Sequence, residues 1–128
     1  MNSALWIIDD CPLSTRLTRA RLLRLGVACR IFPSGNAAVA AWMEGTAKPP
    51  LAMLMDLEMP GRSGLDTGHV LRDAGYLGLL MLHTAQPPKD PDTLSEHGFD
   101  GLILKPASAE ALLGMIVRAQ AEAARRSA

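Results

Sequence analysis

Leu51-Ala52-Met53-Leu54-Met55 runs without a polar break and ends on the carboxylate of Asp56. A short apolar run closed by a polar residue is the pattern of a strand buried on both faces, as in a parallel sheet covered by helices. Three other runs share it. Leu5-Trp6-Ile7-Ile8 stops at Asp9-Asp10, Leu79-Leu80-Met81-Leu82-His83 at Thr84, and Leu102-Ile103-Leu104 at Lys105-Pro106. Parallel strands share one C-terminal edge, and open α/β sheets bind ligands just outside it. The pattern therefore predicts one crevice holding three carboxylates, a hydroxyl and an ammonium.

The segments between these strands have helical character. Pro12 suits a first-turn position, and Leu13, Leu17, Leu22 and Leu25 are expected on one apolar arc ended by Gly26. Cys29-Arg30-Ile31-Phe32 reads as a short strand and residues 37–44 as a helix stopping at Gly45. After the turn-rich Met59-Pro60-Gly61-Arg62-Ser63-Gly64 a helix is expected to about Arg72. Asp90-Pro91 reads as a cap and first helical residue of a brief helix ended by Gly98. Ser108 caps a last helix with Leu112, Met115, Ile116 and Ala119 inward, and Arg118, Glu122 and Arg126 outward at i,i+4 spacing. Five strands alternating with five helices predict a three-layer α/β domain with right-handed crossovers, spanning 1–128 as one unit. Residues from about 122 to 128 are expected to be a frayed end or the start of a linker.

Composition narrows the function. With 128 residues, 48% hydrophobic and 20% charged, the chain is globular and large enough for its own core. Thirteen basic residues balance thirteen acidic ones, which argues against direct nucleic-acid binding. No run reaches the roughly 20 apolar residues that span a bilayer, and residues 1–20 show no secretory pattern. A cytoplasmic protein without membrane insertion is expected. Cys11 and Cys29 have no zinc-ligand spacing and are expected as reduced thiols. His69, His83 and His97 show no ligand spacing either, and the seven methionines look like core filling. The arginines at 16, 19, 21 and 24 read first as a solvated helix face.

Gathering Asp9, Asp10 and Asp56 is unfavourable alone: two unit charges about 4 Å apart repel by roughly 4 kcal/mol at an effective dielectric near 20. A small divalent cation offsets this, and Mg²⁺ favours a few carboxylates with water and a phosphate oxygen. One carboxylate is then placed to attack phosphorus and form an aspartyl phosphate. Asp56 closes the central strand and stands alone, so it is the expected acceptor, while the Asp9-Asp10 doublet suits metal holding. Lys105 supplies charge and Thr84 a hydroxyl for the phosphoryl oxygens.

Taken together, Asp9-Asp10, Met55-Asp56-Leu57-Glu58-Met59-Pro60-Gly61, Thr84-Ala85 and Lys105-Pro106 resemble the receiver domain of bacterial two-component response regulators, of the single-domain chemotaxis-regulator kind. The resemblance covers essentially the whole chain, in order. It implies a flavodoxin-like (βα)5 fold with strand order 2-1-3-4-5. Asp56 would accept a phosphoryl group from a sensor histidine kinase or histidine phosphotransfer protein and switch an unknown downstream partner or output. Asp10 would ligate Mg²⁺ (or Mn²⁺) directly and Asp9 largely through water, with Asp56 and the backbone carbonyl of Glu58 as further ligands. Lys105 would pair with the phosphoryl group, its bond to Pro106 would be cis, and Thr84 would swing inward. Side chains at Glu58 and Gln86 resemble family positions that tune phosphoryl loss.

Two features depart from the family. Leu102 stands where an aromatic usually turns inward, so a smaller rearrangement is expected there. Gln86-Pro87-Pro88-Lys89-Asp90-Pro91 stiffens the loop after Thr84. A stand-alone receiver and a receiver cut from a larger regulator read identically. Two other readings compete with this one. A haloacid-dehalogenase-type phosphatase needs Asp-x-Asp after the first strand, where Cys11 holds the second acid's place. A flavodoxin-like carrier needs a Ser/Thr/Gly phosphate loop there.

Overall fold

The computed structural model describes residues 5–46 and 48–127, so expectations for residues 1–4, 47 and 128 lie outside the described residues. Strands and helices alternate: β1 (Leu5–Ile8), α1 (Pro12–Arg24), β2 (Cys29–Phe32), α2 (Gly35–Glu44), β3 (Ala52–Asp56), α3 (Gly64–Asp73), β4 (Leu79–Thr84), α4 (Asp92–Glu96), β5 (Gly101–Leu104) and α5 (Ala109–Ser127). The sheet is parallel throughout in the order β2-β1-β3-β4-β5, which is the flavodoxin-like arrangement. The runs of β1, β3 and β4 became strands because both of their faces find a cover, whereas β5 at the sheet edge leaves Leu104 55% exposed. Leu5, Ile7, Leu54, Leu79 and Met81 pack with Leu22, Leu112, Met115 and Ile116 on the α1/α5 side. Trp6, Ile8, Met53, Met55, Leu80 and Leu82 pack with Ala38, Leu71, Tyr76 and Phe99 on the other.

Local signals set the helix boundaries. Ser34 Oγ accepts from Ala37 N at 3.1 Å, Ser63 Oγ from Asp66 N at 3.2 Å, and Ser108 Oγ from Ala111 N at 3.0 Å. The expected cap is shifted by one residue: Pro91 itself is the N-cap of α4 and has no side-chain cap bond, the helix begins at Asp92, and Asp90 Oδ1 accepts from Asp92 N at 2.9 Å in a local turn ahead of it. That helix is short and buries no side chain.

Two further expectations are corrected. The inner face of α1 is Thr15, Thr18 and Leu22, whereas Leu13 is 74% and Leu17 42% exposed. Threonine serves as an inner residue because its methyl packs while its hydroxyl is satisfied locally, as Thr15 Oγ1 does by donating to Pro12 O at 3.0 Å. On α5, Glu122 reaches Arg118 at 3.3 Å and Arg125 at 3.8 Å, and Arg126 is not its partner. Helix α5 continues to Ser127.

Candidate functional site

Ladder hydrogen bonds continue past the strand ends and fix the backbone of two site residues. Asp9 N donates to Phe32 O at 3.0 Å, and Lys105 N donates to Thr84 O at 2.9 Å. Cys11 N donates to Asp9 Oδ1 at 2.9 Å, which orients that carboxylate over the sheet edge. Carboxylate oxygens of Asp9, Asp10 and Asp56 all lie within 4.8 Å of one another. Lys105 Nζ lies 3.0 Å from both Asp9 Oδ2 and Asp56 Oδ1. Asp9 and Asp56 are buried, while Asp10 is exposed at the rim. A cleft of about 350 Å³ opens over Asp56 and is lined by Glu58, Thr84, Ala85, Gln86 and Lys105.

The start of α3 packs against the backbone at Asp56. A Cβ added at Gly64, the first residue of α3, would stand 2.0 Å from the Asp56 carbonyl oxygen. Gly64 N donates to Leu57 O at 2.7 Å, so α3 begins directly against the backbone that follows the carboxylate. Only glycine allows this approach.

The electrostatics match a cation-seeking pocket. Burial pushes the Asp56 carboxyl above its ordinary range, the Lys105 hydrogen bond opposes this, and repulsion from Asp9 and Asp10 adds to it. Burial works to lower Lys105, but close contacts with Asp9 and Asp56 carry it above its ordinary value. Asp9 Oδ2 is buried, and within the site its one close positive neighbour is Lys105 Nζ at 3.0 Å, which it shares with Asp56. One ammonium thus faces three acids. A buried carboxylate oxygen beside two further hard donors fits a small divalent ion of the Mg²⁺ type.

Thr84 is buried, and its hydroxyl lies 3.2 Å from both the carbonyl oxygen and the amide nitrogen of Gln86. It therefore holds the start of the β4–α4 loop. The Lys105–Pro106 bond is cis. Leu102 is half-buried against the α2/α3 side of the core.

Two features near the site escaped the sequence reading. His83 is 2% exposed with Nε2 unpartnered, and burial together with Lys105 lowers it to about 4 against the pull of Asp9. Leu13, Leu17 and Pro106 line an apolar groove beside Lys105. The i,i+4 leucines facing a proline could have signalled it, had Thr15 and Thr18 been read as the inner face.

A parallel 2-1-3-4-5 sheet with an acid trio and a lysine at its carboxyl edge defines a receiver-type domain. The model of the response regulator receiver domain matches residues 5–117, and the chain belongs to that family. It is 35% identical over 118 residues to the nitrate/nitrite response regulator protein NarP of Escherichia coli (strain K12), covering 86% of this chain and 51% of that protein. The chain thus spans about half the length of this relative. Its fold matches the N-terminal domain of a response regulator/sensory box/GGDEF 3-domain protein from Carboxydothermus hydrogenoformans, with TM-score 0.83 and 21% identity over 97% of this chain and 98% of that one. It also matches a chain in the co-crystal structure of the Saccharomyces cerevisiae histidine phosphotransfer signaling protein Ypd1 and the receiver domain of its downstream response regulator Ssk1. There the TM-score is 0.72, with 21% identity over 84% and 81% of the two chains. Among the described residues no helix is long and apolar enough to cross a membrane.

Proposed function

We propose that this receiver accepts a phosphoryl group on Asp56 and uses it to switch a downstream protein. The observation that carries the reading is the pairing of the buried Asp56 with Lys105 at 3.0 Å inside a trio of acids. Asp9, Asp10 and Asp56, with the carbonyl of Glu58, would hold Mg²⁺, and Mn²⁺ would substitute. The ion supplies charge neutralisation of the carboxylates and of the phosphoryl oxygens.

An Asp56 oxygen attacks phosphorus, the P–N bond of a donor phosphohistidine breaks, and the imidazole leaves with the electron pair. Lys105 follows the incoming charge from Asp56 Oδ1 to a phosphoryl oxygen. The Thr84 hydroxyl leaves Gln86 to donate to another oxygen, which releases the start of the β4–α4 loop. That exchange biases two conformations of the loop. Chemistry of this kind is self-catalysed and single-turnover, not that of an enzyme.

The donor is a sensor histidine kinase or histidine phosphotransfer protein. Exposed Leu13 and Leu17 with Pro106 offer it an apolar seat beside Lys105. Balanced charge supports an output through protein contact, with neither direct nucleic-acid binding nor membrane insertion, and a cytoplasmic setting. The phosphatase alternative has no support, because Cys11 occupies the second acid's position.

A phosphorylated histidine phosphotransfer domain mixed with the chain and Mg²⁺ provides the test. Loss of the donor's phosphoryl group matched by gain on Asp56 is expected. Turnover of a phosphomonoester without a stable aspartyl adduct would contradict the reading.

A further inference from the structure

We propose that His69 on α3 and His97 at the end of α4 form a second metal site, for a borderline transition ion of the Zn²⁺ class, on the surface away from the acid trio. The two rings lie 6.4 Å apart between centroids and are inclined at 73°. His97 Nδ1 is 2.8 Å from Thr93 O, and a carbonyl only accepts, so the neutral ring carries its proton on Nδ1 and a free lone pair on Nε2. His69 Nε2 lies 3.4 Å from Asp73 Oδ2 one turn along α3, which draws its proton to Nε2 and leaves Nδ1 free. Ligand histidines characteristically have this arrangement, with one nitrogen turned to a protein oxygen and the other open to the ion. The i,i+4 spacing of His69 and Asp73 keeps ligand and orienting carboxylate on one helix face.

The distance also suits a shared ion. Nitrogens about 2.0–2.1 Å from one zinc place imidazole centroids roughly 5–6 Å apart. The His69 side chain is 57% exposed, which leaves its ring free to turn towards an ion. Among the described residues only Asp9, Asp10 and Asp56 bring three donor atoms within 4.8 Å of one another, so this second site has two imidazoles and is completed by water. The chemistry separates the two sites. Imidazole selects Zn²⁺, Ni²⁺ or Cu²⁺, whereas carboxylate and carbonyl oxygens select Mg²⁺.

Its consequence follows from the fold. Helix α4 has five residues, none of them fully buried, and Leu94 is its one side chain packed against the core cluster. An ion shared by His69 and His97 ties the end of α4 to α3 and stiffens the segment that follows Thr84. The site does not depend on phosphorylation of Asp56.

The test titrates Zn²⁺ into the full chain with Mg²⁺ already saturating, following the imidazole C–H resonances of all three histidines. His69 and His97 are expected to shift with one common midpoint, while His83 stays still as the buried internal control. Amides of α4 are expected to exchange more slowly with zinc present. His69→Ala removes an exposed side chain and is expected to weaken binding about tenfold or more, as is His97→Gln, with Asp73→Asn weaker by about tenfold. Separate midpoints for the two rings, unchanged affinity in His69→Ala, or zinc shifts confined to the residues around Asp9 and Asp56 would overturn the proposal.

Discussion

Replacing Lys105 with methionine keeps the aliphatic stem and removes the single ammonium that faces three carboxylates. Its Nζ is 3.0 Å from Asp9 and from Asp56. At that distance and an effective dielectric near 20, each pair attracts by about 5 kcal/mol before desolvation is subtracted. Breaking a buried ion pair costs about 3–5 kcal/mol in practice. The Lys105 side chain is 20% exposed, so partial screening brings the expected loss to about 2–4 kcal/mol in Mg²⁺-free buffer at neutral pH. For a chain of this length that is a fall in Tm of roughly 10 °C.

Two conditions should restore the variant. Saturating Mg²⁺ replaces the missing positive charge and binds more tightly than to wild type, because its intramolecular competitor has gone. Acid does the same by protonation. Asp56 already lies above its ordinary range through burial and repulsion, and the substitution raises it further, so the gap to wild type narrows as pH falls. Thermal melts with and without Mg²⁺ between neutral and mildly acidic pH provide the assay. An equal loss under all conditions, or none in Mg²⁺-free buffer, would refute the reasoning.

Gly64→Ala puts a methyl 2.0 Å from the Asp56 carbonyl oxygen and should cost about 1–3 kcal/mol in urea melts while slowing phosphoryl uptake. Arg72 donates to the carbonyls of Gly98, Tyr76 and Gly78 and to the carboxylate of Asp100. Arg72→Ala should lose about 2–4 kcal/mol, with faster amide exchange in the segment leading into β5. His83 sits at about 4 in the fold against about 6.5 unfolded, so its contribution is fully present above pH 6.5 and is lost as pH falls towards 4. Across that window wild type should lose about 2–4 kcal/mol relative to His83→Leu, measured as the difference between their melting curves. A phosphoryl mimic should move Leu102 only slightly, and a large rotamer swing in a bound structure would count against this.

Strand positions were legible because continuous apolar runs have one solution in a covered parallel sheet. Asp9, Asp10, Asp56 and Lys105 could be brought together on paper for the same reason, since each follows such a run. Side-chain amphipathicity was less legible. Thr15 and Thr18 pack inward, the Thr15 hydroxyl tied to its own helix, so a reading by polarity placed Leu13 and Leu17 in the core when both are exposed. Contacts made by one side chain with several backbone carbonyls leave no periodic trace, which is why the Arg72 network was invisible. Rotamers were equally hidden: nothing in Thr84-Ala85-Gln86 says that the hydroxyl turns to Gln86. The burial of His83 was ambiguous because an imidazole ends many strands as well as many loops.

The most direct measurement is the intact mass of the chain after incubation with a small phosphodonor and Mg²⁺. Wild type should gain one phosphoryl group, and Asp56→Asn and Mg²⁺-free samples should gain none. Persistent labelling of Asp56→Asn, or a phosphoryl group mapped to another residue, would contradict the account.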